Sequence, residues 1–262
     1  ANMRINSQWL FTKYDNLGRV LYTGITTGST TRATEQTLVD AKTNNNEAKS
    51  AAVGFTSNGL GVYYTNSTAY PTSISTLLSV NYYDTYPVGM PTTANQIQGA
   101  NRLPLYSVPS NSVLTTKGLS TANFLKNIDD NSWTKVYNFY DEKNRIIATH
   151  SYNYLGGYTK TENKLNFIGL PTETYTYHKR LSTDTEIAIK EKFEYDTQNR
   201  LIKHWHNVNN ATNDELLTFN EYNELGQLKN KKVGGTASTP IQTVDYKYNV
   251  RGWLTQINET PN

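Results

Sequence analysis

The chain contains no cysteine. That excludes a disulfide framework, a thiolate metal site and a cysteine nucleophile. Charge of either sign is scarce in excess: the net value is +3. Phosphate binding needs a clustered basic patch. The one dense basic run is Lys229, Lys231 and Lys232, and it reads as a solvated strand end after a turn. A nucleic-acid partner is therefore not expected. No apolar run approaches the length that crosses a bilayer, so membrane insertion is not expected either. Ala1-Asn2-Met3-Arg4 has no signal-peptide core, so a secreted parent would carry its signal upstream or have lost it. Hydrophobic residues make up only 36% of the chain, too little for a thick core.

Tyrosine is what the chain has in abundance: 20 Tyr against 7 Phe and 4 Trp. Tyrosine and threonine suit pleated, half-buried surfaces. A tyrosine can bury its ring and keep its hydroxyl wet. The composition points to an all-β protein built on a thin curved sheet, with water against one or both faces. At 262 residues there is room for one large domain or two small ones.

A repeat runs through the chain: Tyr, Asp or Asn, two free positions, Gly or Asn, a variable residue and an aliphatic. It reads Tyr14-Asp15-Asn16-Leu17-Gly18-Arg19-Val20, then Tyr140-Asp141-Glu142-Lys143-Asn144-Arg145-Ile146, then Tyr195-Asp196-Thr197-Gln198-Asn199-Arg200-Leu201. Looser copies are Tyr222-Asn223-Glu224-Leu225-Gly226-Gln227-Leu228 and Tyr248-Asn249-Val250-Arg251-Gly252-Trp253-Leu254. A decayed one, without the Tyr, is Leu165-Asn166-Phe167-Ile168-Gly169-Leu170-Pro171. From the copy at Tyr140 onward the spacings are 25, 30, 27 and 26 residues. The physics behind the pattern is a turn. Asp or Asn accepts backbone hydrogen bonds through its side chain, and a Gly or Asn three residues on tolerates positive φ. Val244 to Tyr248 alternates as a strand does. Each unit is thus expected to be strand, tight turn, strand, and stacked hairpins bury what one hairpin cannot. Tyr83-Asp84 fails the template, with Pro87 at the fifth position.

Residues 24–135 break the period. Thr31 to about Asn44 predicts a short helix, with Thr30 or Thr31 as cap and Leu38 and Val39 as its apolar contacts. Ser57-Asn58-Gly59 predicts a turn, followed by a strand at Gly61–Thr65 and another at Leu77–Tyr83. Pro87, Pro91, Pro104 and Pro109 punctuate a loop-rich stretch through Ser112. The expected organisation is a repeat hairpin over 1–28, a loop-rich insertion over 29–112 that packs on or plugs the sheet, and a repeat strip over 113–262.

The phrases Lys13-Tyr14-Asp15-Asn16-Leu17-Gly18-Arg19-Val20, Tyr154-Leu155-Gly156-Gly157-Tyr158, Glu221-Tyr222-Asn223-Glu224-Leu225-Gly226-Gln227-Leu228 and Tyr246-Lys247-Tyr248-Asn249-Val250-Arg251-Gly252-Trp253-Leu254 together resemble YD-repeat segments of RHS-type proteins, in the style of the Bacteroidetes members. The resemblance covers most of 8–28 and 113–258. It implies a strip of β-hairpins that spirals into a hollow shell around a C-terminal toxin or effector, in a protein exported or displayed at the cell surface. It also implies that the partners are the rest of the parent chain and its effector, with surface glycans as a second class, because some relatives are linked to carbohydrate-mediated adhesion. The family's Asp-Pro-rich self-cleaving core segment and a toxin domain are both absent. The repeats run close to both ends without a cap, and a solenoid needs caps, so the chain is expected to be a piece of a longer protein.

Catalytic motifs are missing: no Gly-x-Ser-x-Gly elbow, phosphate loop, dinucleotide fingerprint or His-Glu-x-x-His. The histidines are His150, His178, His204 and His206. His204 and His206 would face one side of a strand and could begin a metal site, but no third ligand is evident; two polar residues on a wet face is the other reading. Asp129-Asp130 could pair as carboxylates, yet Asn131-Ser132 favours a turn. A catalytic residue is needed once, whereas the repeated Asp is needed at every turn. No catalytic residue, metal or cofactor is expected. Trp205 and Trp253 could stack on sugar rings, or could pack against neighbouring strands.

Overall fold

The computed structural model describes residues 7–28, 31–104 and 114–259. Thr30, Pro109 and Ser112 lie outside them. The strands of the N-terminal half are β1 (Gln8–Tyr14), β2 (Val20–Thr27), β3 (Phe55–Ser57), β4 (Leu60–Val62), β5 (Thr76–Tyr83), β6 (Gln96–Ile97), β7 (Ala100–Asn101), β8 (Ser120–Lys126) and β9 (Trp133–Tyr140). Those that follow are β10 (Ile146–Tyr152), β11 (Gly156–Leu165), β12 (Pro171–Leu181), β13 (Ile187–Tyr195), β14 (Leu201–Val208), β15 (Glu215–Tyr222), β16 (Leu228–Val233), β17 (Gln242–Tyr248) and β18 (Leu254–Ile257). The helix α1 spans Arg32–Asp40. Fourteen strands make one sheet in the order β1-β2-β5-β8-β9-β10-β11-β12-β13-β14-β15-β16-β17-β18. Pairing is antiparallel, as short hairpin links require. The order is linear and the sheet is not closed. The protein is all-β, as its composition indicates.

The chain divides into two compact units. The first takes the chain up to Asn95 with Asn101–Tyr158 and Arg180–Thr183; the second takes Gln96–Ala100, Thr159–Lys179 and everything from Asp184 on. In the first unit the sheet has a true core. Tyr22, Val62, Leu77, Val80, Tyr82, Phe139 and Ile147 are fully buried. Rings follow one another from strand to strand. Phe11 meets Tyr22 edge-on at 6.3 Å, Tyr64 lies between Tyr22 and Tyr82 at 6.3 and 5.2 Å, and Tyr82, Phe124 and Tyr137 continue the row at 5.3 and 5.6 Å. Such cross-strand aromatic pairs stabilise a sheet by about 0.5–1.5 kcal/mol each beyond area burial.

Gly24 sits directly opposite Phe11 in the β1–β2 ladder. A Cβ there would come within 2.7 Å of the Phe11 ring and 2.7 Å of the Thr76 carbonyl. Gly24→Ala is therefore expected to destabilise by about 1–3 kcal/mol, as overpacking does. Chemical denaturation of the pure variant measures it; an unchanged midpoint would contradict this packing.

The region expected to be an insertion contributes β5 to the sheet, between β2 and β8. The Ser57-Asn58-Gly59 turn is present: β3 and β4 pair around Asn58 and Gly59, both at positive φ. The strand after it ends at Val62 rather than Thr65, because Tyr64 turns into the core and Thr65 bonds to Glu47. The helix is capped by Thr31, whose hydroxyl accepts from the Thr34 N–H, and it stops at Asp40, short of Asn44. Beyond it the backbone crosses to β1, where the Glu47 N–H donates to the Tyr14 carbonyl at 2.9 Å. Leu38 is exposed and is not the helix's apolar anchor. The buried helix residue is Glu35, whose carboxylate accepts from the Tyr70 hydroxyl at 2.5 Å.

The second unit is built differently. Among the described residues from Thr159 on, only Asn207 and Leu216 are buried. Side chains on both faces of β12–β16 are half-exposed. Lysines bridge rings and carboxylates across strands in place of a core. Lys190 Nζ lies 5.1 Å from the Tyr175 ring centroid and 3.2 Å from Glu173; Lys203 lies 5.4 Å from Trp205 and 3.1 Å from Glu194; Lys232 lies 4.9 Å from Phe219 and 3.3 Å from Glu221. Exposed pairs of this kind are individually weak, and they recur on β13, β14 and β16 where a core is missing.

Glu173 is the most connected of these carboxylates. Hydrogen bonding from Tyr175, then from Lys164 and Lys190, lowers it from 4.5 to about 2. A depressed carboxylate contributes stability above its unfolded value, and the contribution is lost as pH falls toward the folded one. The second unit should thus lose stability between pH 4.5 and about 2 partly through this group. In Glu173→Gln the acid limb of a melting-temperature profile over that window is expected to flatten; an identical profile would rule the group out.

Candidate functional site

The repeated feature of the chain is a turn, and among the described residues seven turns share one geometry. The residue at motif position two gives its backbone N–H to the carbonyl four residues on, and its own carbonyl accepts from the N–H three residues on. For Asp141 these bonds measure 2.9 and 3.0 Å, to Arg145 and from Asn144. Its Oδ1 then accepts two more N–H groups, from Lys143 and Arg145, each at 2.9 Å. The same four bonds recur at Asp15, Asn166, Asp196, Asn223 and Asn249. The fifth motif residue has positive φ each time: Gly18, Asn144, Gly169, Asn199, Gly226 and Gly252. All these residues lie between strands, at bends.

The seventh copy was not in the repeat as read from sequence. Asn153 makes the same set: its N–H to Gly157 O at 3.1 Å, its carbonyl from Gly156 N at 3.3 Å, and its Oδ1 from Leu155 and Gly157 N, both at 2.9 Å. The signal was present as Tyr152-Asn153-Tyr154-Leu155-Gly156-Gly157. It was hidden by its spacing, 12 residues after Tyr140, because it closes the hairpin on the other side of β10. The period of 25 to 30 residues is that of alternate hairpins, two strands and two turns.

The motif tyrosine has a duty that the turn alone does not explain. Tyr195 donates its hydroxyl to Pro171 O at 2.8 Å, Tyr222 to Leu201 O at 3.0 Å, and Tyr248 to Leu228 O at 3.0 Å. Each acceptor is the seventh residue of the preceding motif. Tyr140 donates likewise to Ser120 O at 2.6 Å. The sixth residue makes a second link. The Arg200 guanidinium covers the Tyr222 ring at 4.4 Å, and it lies where a Cβ on Gly226 would meet it at 3.0 Å. Gly226 is thus needed both for its positive φ and for the close approach of the preceding repeat.

A charge rule accompanies the geometry. Where the motif has Asp, the residue four on is arginine, and its Nε reaches the free Oδ2: 2.7 Å for Arg19–Asp15, 2.7 Å for Arg145–Asp141 and 2.6 Å for Arg200–Asp196. Where the motif has Asn, that place holds Gly157, Leu170, Gln227 or Trp253. An amide cannot accept from a guanidinium through its NH2. In the Asn223 turn that group donates instead to Gln227 Oε1 at 2.8 Å.

Tyr83 and Asp84, outside the sequence template, take part in the same lattice. Arg19 lies 4.6 Å above the Tyr83 ring and holds Asp84 through both terminal nitrogens at 3.1 and 2.9 Å. A cavity of about 430 Å³ opens beside them, lined by Asp15, Arg19, Lys49, Tyr64, Tyr83 and Asp84. A second, of about 410 Å³, is lined mainly by Trp9, Phe11, Tyr14, Val39, Tyr70 and Pro71.

The other residues singled out by sequence are dispersed. His204 and His206 share a face of β14, but each bonds its own carboxylate: His204 Nε2 to Glu191 at 2.9 Å and His206 Nε2 to Glu215 at 2.7 Å. His204 also stacks on Phe193 at 4.6 Å. Among the described residues no three His, Cys, Asp or Glu gather as a metal site. Asp129 and Asp130 lie in the β8–β9 link, where Asp130 accepts from the Ser132 N–H and hydroxyl at 2.7 and 2.5 Å. Trp205 is half-buried under Lys203, whereas Trp253 is 65% exposed with Arg251 at 5.7 Å. No described helix is long and apolar enough to cross a membrane. No family model matches the chain, and no curated protein matches it.

Proposed function

We propose that this chain is a non-catalytic structural segment of a YD-repeat, RHS-type protein, a strip of hairpins that forms part of a β-shell. The supporting observation is the interlocked turn: the repeats close on their Asx residues, and those of Tyr195, Tyr222 and Tyr248 also bond to the repeat before them through the tyrosine hydroxyl. A device of this kind propagates a sheet one hairpin at a time and has no need of a reactive centre. The shell reading makes the downstream part of the parent, a toxin or effector, the enclosed partner, and places the protein outside the cell or on its surface. The test is protease protection of the parent protein. The downstream segment should resist digestion with the strip intact and become degradable when the Asp141 and Asp196 turns are both replaced by alanine. Equal digestion in both would sink the reading.

A second reading is supported by one residue. Trp253, solvent-facing on the final turn, offers a ring face to a sugar. A glycan array that gives a signal for the chain and none for Trp253→Ala would favour a surface adhesion module.

A further inference from the structure

Lys13 is an unusual residue for the inner side of β1. Its side chain has no solvent exposure, and its Nζ stands 5.7 Å from the centre of the buried Tyr22 ring. Nζ donates to Glu47 Oε1 at 2.8 Å, to Asn66 Oδ1 at 2.6 Å and to Ala69 O at 3.0 Å. The Glu47 side chain is equally shielded. Its Oε2 accepts from the Thr65 hydroxyl at 2.5 Å, and its Oε1 from the Ala69 N–H at 2.9 Å. Asn66 is held from its other end, where Nδ2 donates to Thr72 O at 2.8 Å. The Tyr22 hydroxyl lies 3.1 Å from Asn66 Oδ1 and 2.7 Å from Thr65 O. An amine and a carboxylate shut off from water therefore meet a half-buried carboxamide beside the Tyr22 ring. The turn lattice uses none of them.

We propose that Lys13 and Asn66 become joined by an intramolecular isopeptide bond, formed by the chain itself with Glu47 as the proton carrier. Nζ lies 2.6 Å from Oδ1, and with a C=O bond of about 1.2 Å that puts Cγ roughly 3–4 Å from the amine, next to the near-attack range. Burial lowers the Lys13 ammonium, against the pull of Glu47, and so favours the free amine that attacks. Burial pushes the Glu47 carboxyl up, but hydrogen bonds from Lys13, Thr65 and Ala69 outweigh it and keep it able to take a proton. Nζ adds to Cγ and the carbonyl electrons move onto Oδ1, which faces the Tyr22 hydroxyl. Glu47 takes a proton from Nζ and passes it to Nδ2. The Cγ–Nδ2 bond breaks, the carbonyl re-forms and ammonia leaves. Nothing is oxidised or reduced, and no co-reactant is consumed. The product ties β1, the first strand of the sheet order, to the segment after β4, 53 residues away in sequence. An end strand is paired on one side only, where fraying begins, so a covalent tie there has an evident use.

The test is the mass of the purified full chain after prolonged incubation at neutral pH. The expected value is about 17 Da below that of the sequence, one ammonia. A digest of the denatured chain should hold a branched peptide joining Lys13 to Asn66, with no tryptic cleavage after Lys13. Asn66→Ala, a change at a half-buried site, should fold and keep its sequence mass. Glu47→Gln, if folded by near-ultraviolet circular dichroism, should lose the link. A wild-type chain at its sequence mass and cut after Lys13 would overturn the proposal, whatever the variants do. So would ammonia loss without the branched peptide, as from a succinimide at Asn58-Gly59. A link that forms equally well in Glu47→Gln would overturn the part given to Glu47.

Discussion

Tyr82→Ala is expected to lower the thermal midpoint of the first unit by about 10 °C, the effect of roughly 3–5 kcal/mol in a unit of this size. Tyr82 has no exposure and is clasped on two sides, by Tyr64 at 5.2 Å and 17° and by Phe124 at 5.3 Å and 62°. Removing the ring opens a cavity in the middle of the aromatic row, where backbone pairing on both sides holds the neighbours apart and prevents collapse. Tyr82→Phe isolates the ring from the hydroxyl. That hydroxyl accepts only a long bond from the Tyr63 N–H, 3.4 Å, so the loss should stay below about 1 kcal/mol. Calorimetry of the three proteins checks both values. A Tyr82→Phe loss as large as that of Tyr82→Ala would show that the row is held by polar contacts and not by packing.

The second large effect lies in a turn. Asp141→Ala removes the acceptor of two backbone N–H groups and the partner of the Arg145 side chain at a site only 4% exposed. Charge-assisted bonds of this sort are each worth about 1.5–3 kcal/mol, and their orphaned donors cannot all reach water, so the expected loss is about 3 kcal/mol. The more informative change is Asp141→Asn. It keeps Oδ1 for the backbone but turns an NH2 toward the Arg145 guanidinium, two donors face to face. Asp141→Asn alone should be destabilising. Asp141→Asn with Arg145→Gln, which copies the Asn223–Gln227 turn, should recover most of the loss. The two sites share one hydrogen-bond set, so their double-mutant cycle should show a coupling of about 1 kcal/mol or more. Additive effects would refute the charge rule. At Asp141 the pH dependence has the same sign as at Glu173: burial raises the carboxyl, but bonds from Arg145 and Lys143 outweigh it and hold it low, so its contribution fades in acid.

Much of this could be read along the chain because a turn is a local object. Its acceptor, its two donors and its left-handed residue fall within five positions, so Asp15, Asp141, Asp196 and Asn223 each carry their own instructions. Composition carried the second message. A chain poor in aliphatics and rich in tyrosine is short of core material: from Thr159 on almost nothing is buried, whereas the first unit builds its core largely from rings such as Tyr22, Tyr82 and Phe139. The helix end and the short β4 were misplaced because their limits are set by where Glu47, Tyr64 and Thr65 find partners, and those partners are distant in sequence. Asn153 escaped because its spacing is that of a single strand, not of a pair.

The sequence by itself determined that the chain would fold into hairpins and where six of the seven Asx turns would fall, since backbone hydrogen bonding within a few residues settles a turn. Only the tertiary structure decided what the tyrosines and arginines of the motif do, because their partners are carbonyls and rings one repeat back, brought near by strand pairing. It alone also brought Lys13, Glu47 and Asn66 together, from three segments that share no pattern, in a pocket that exists only once the first unit has closed around Tyr22.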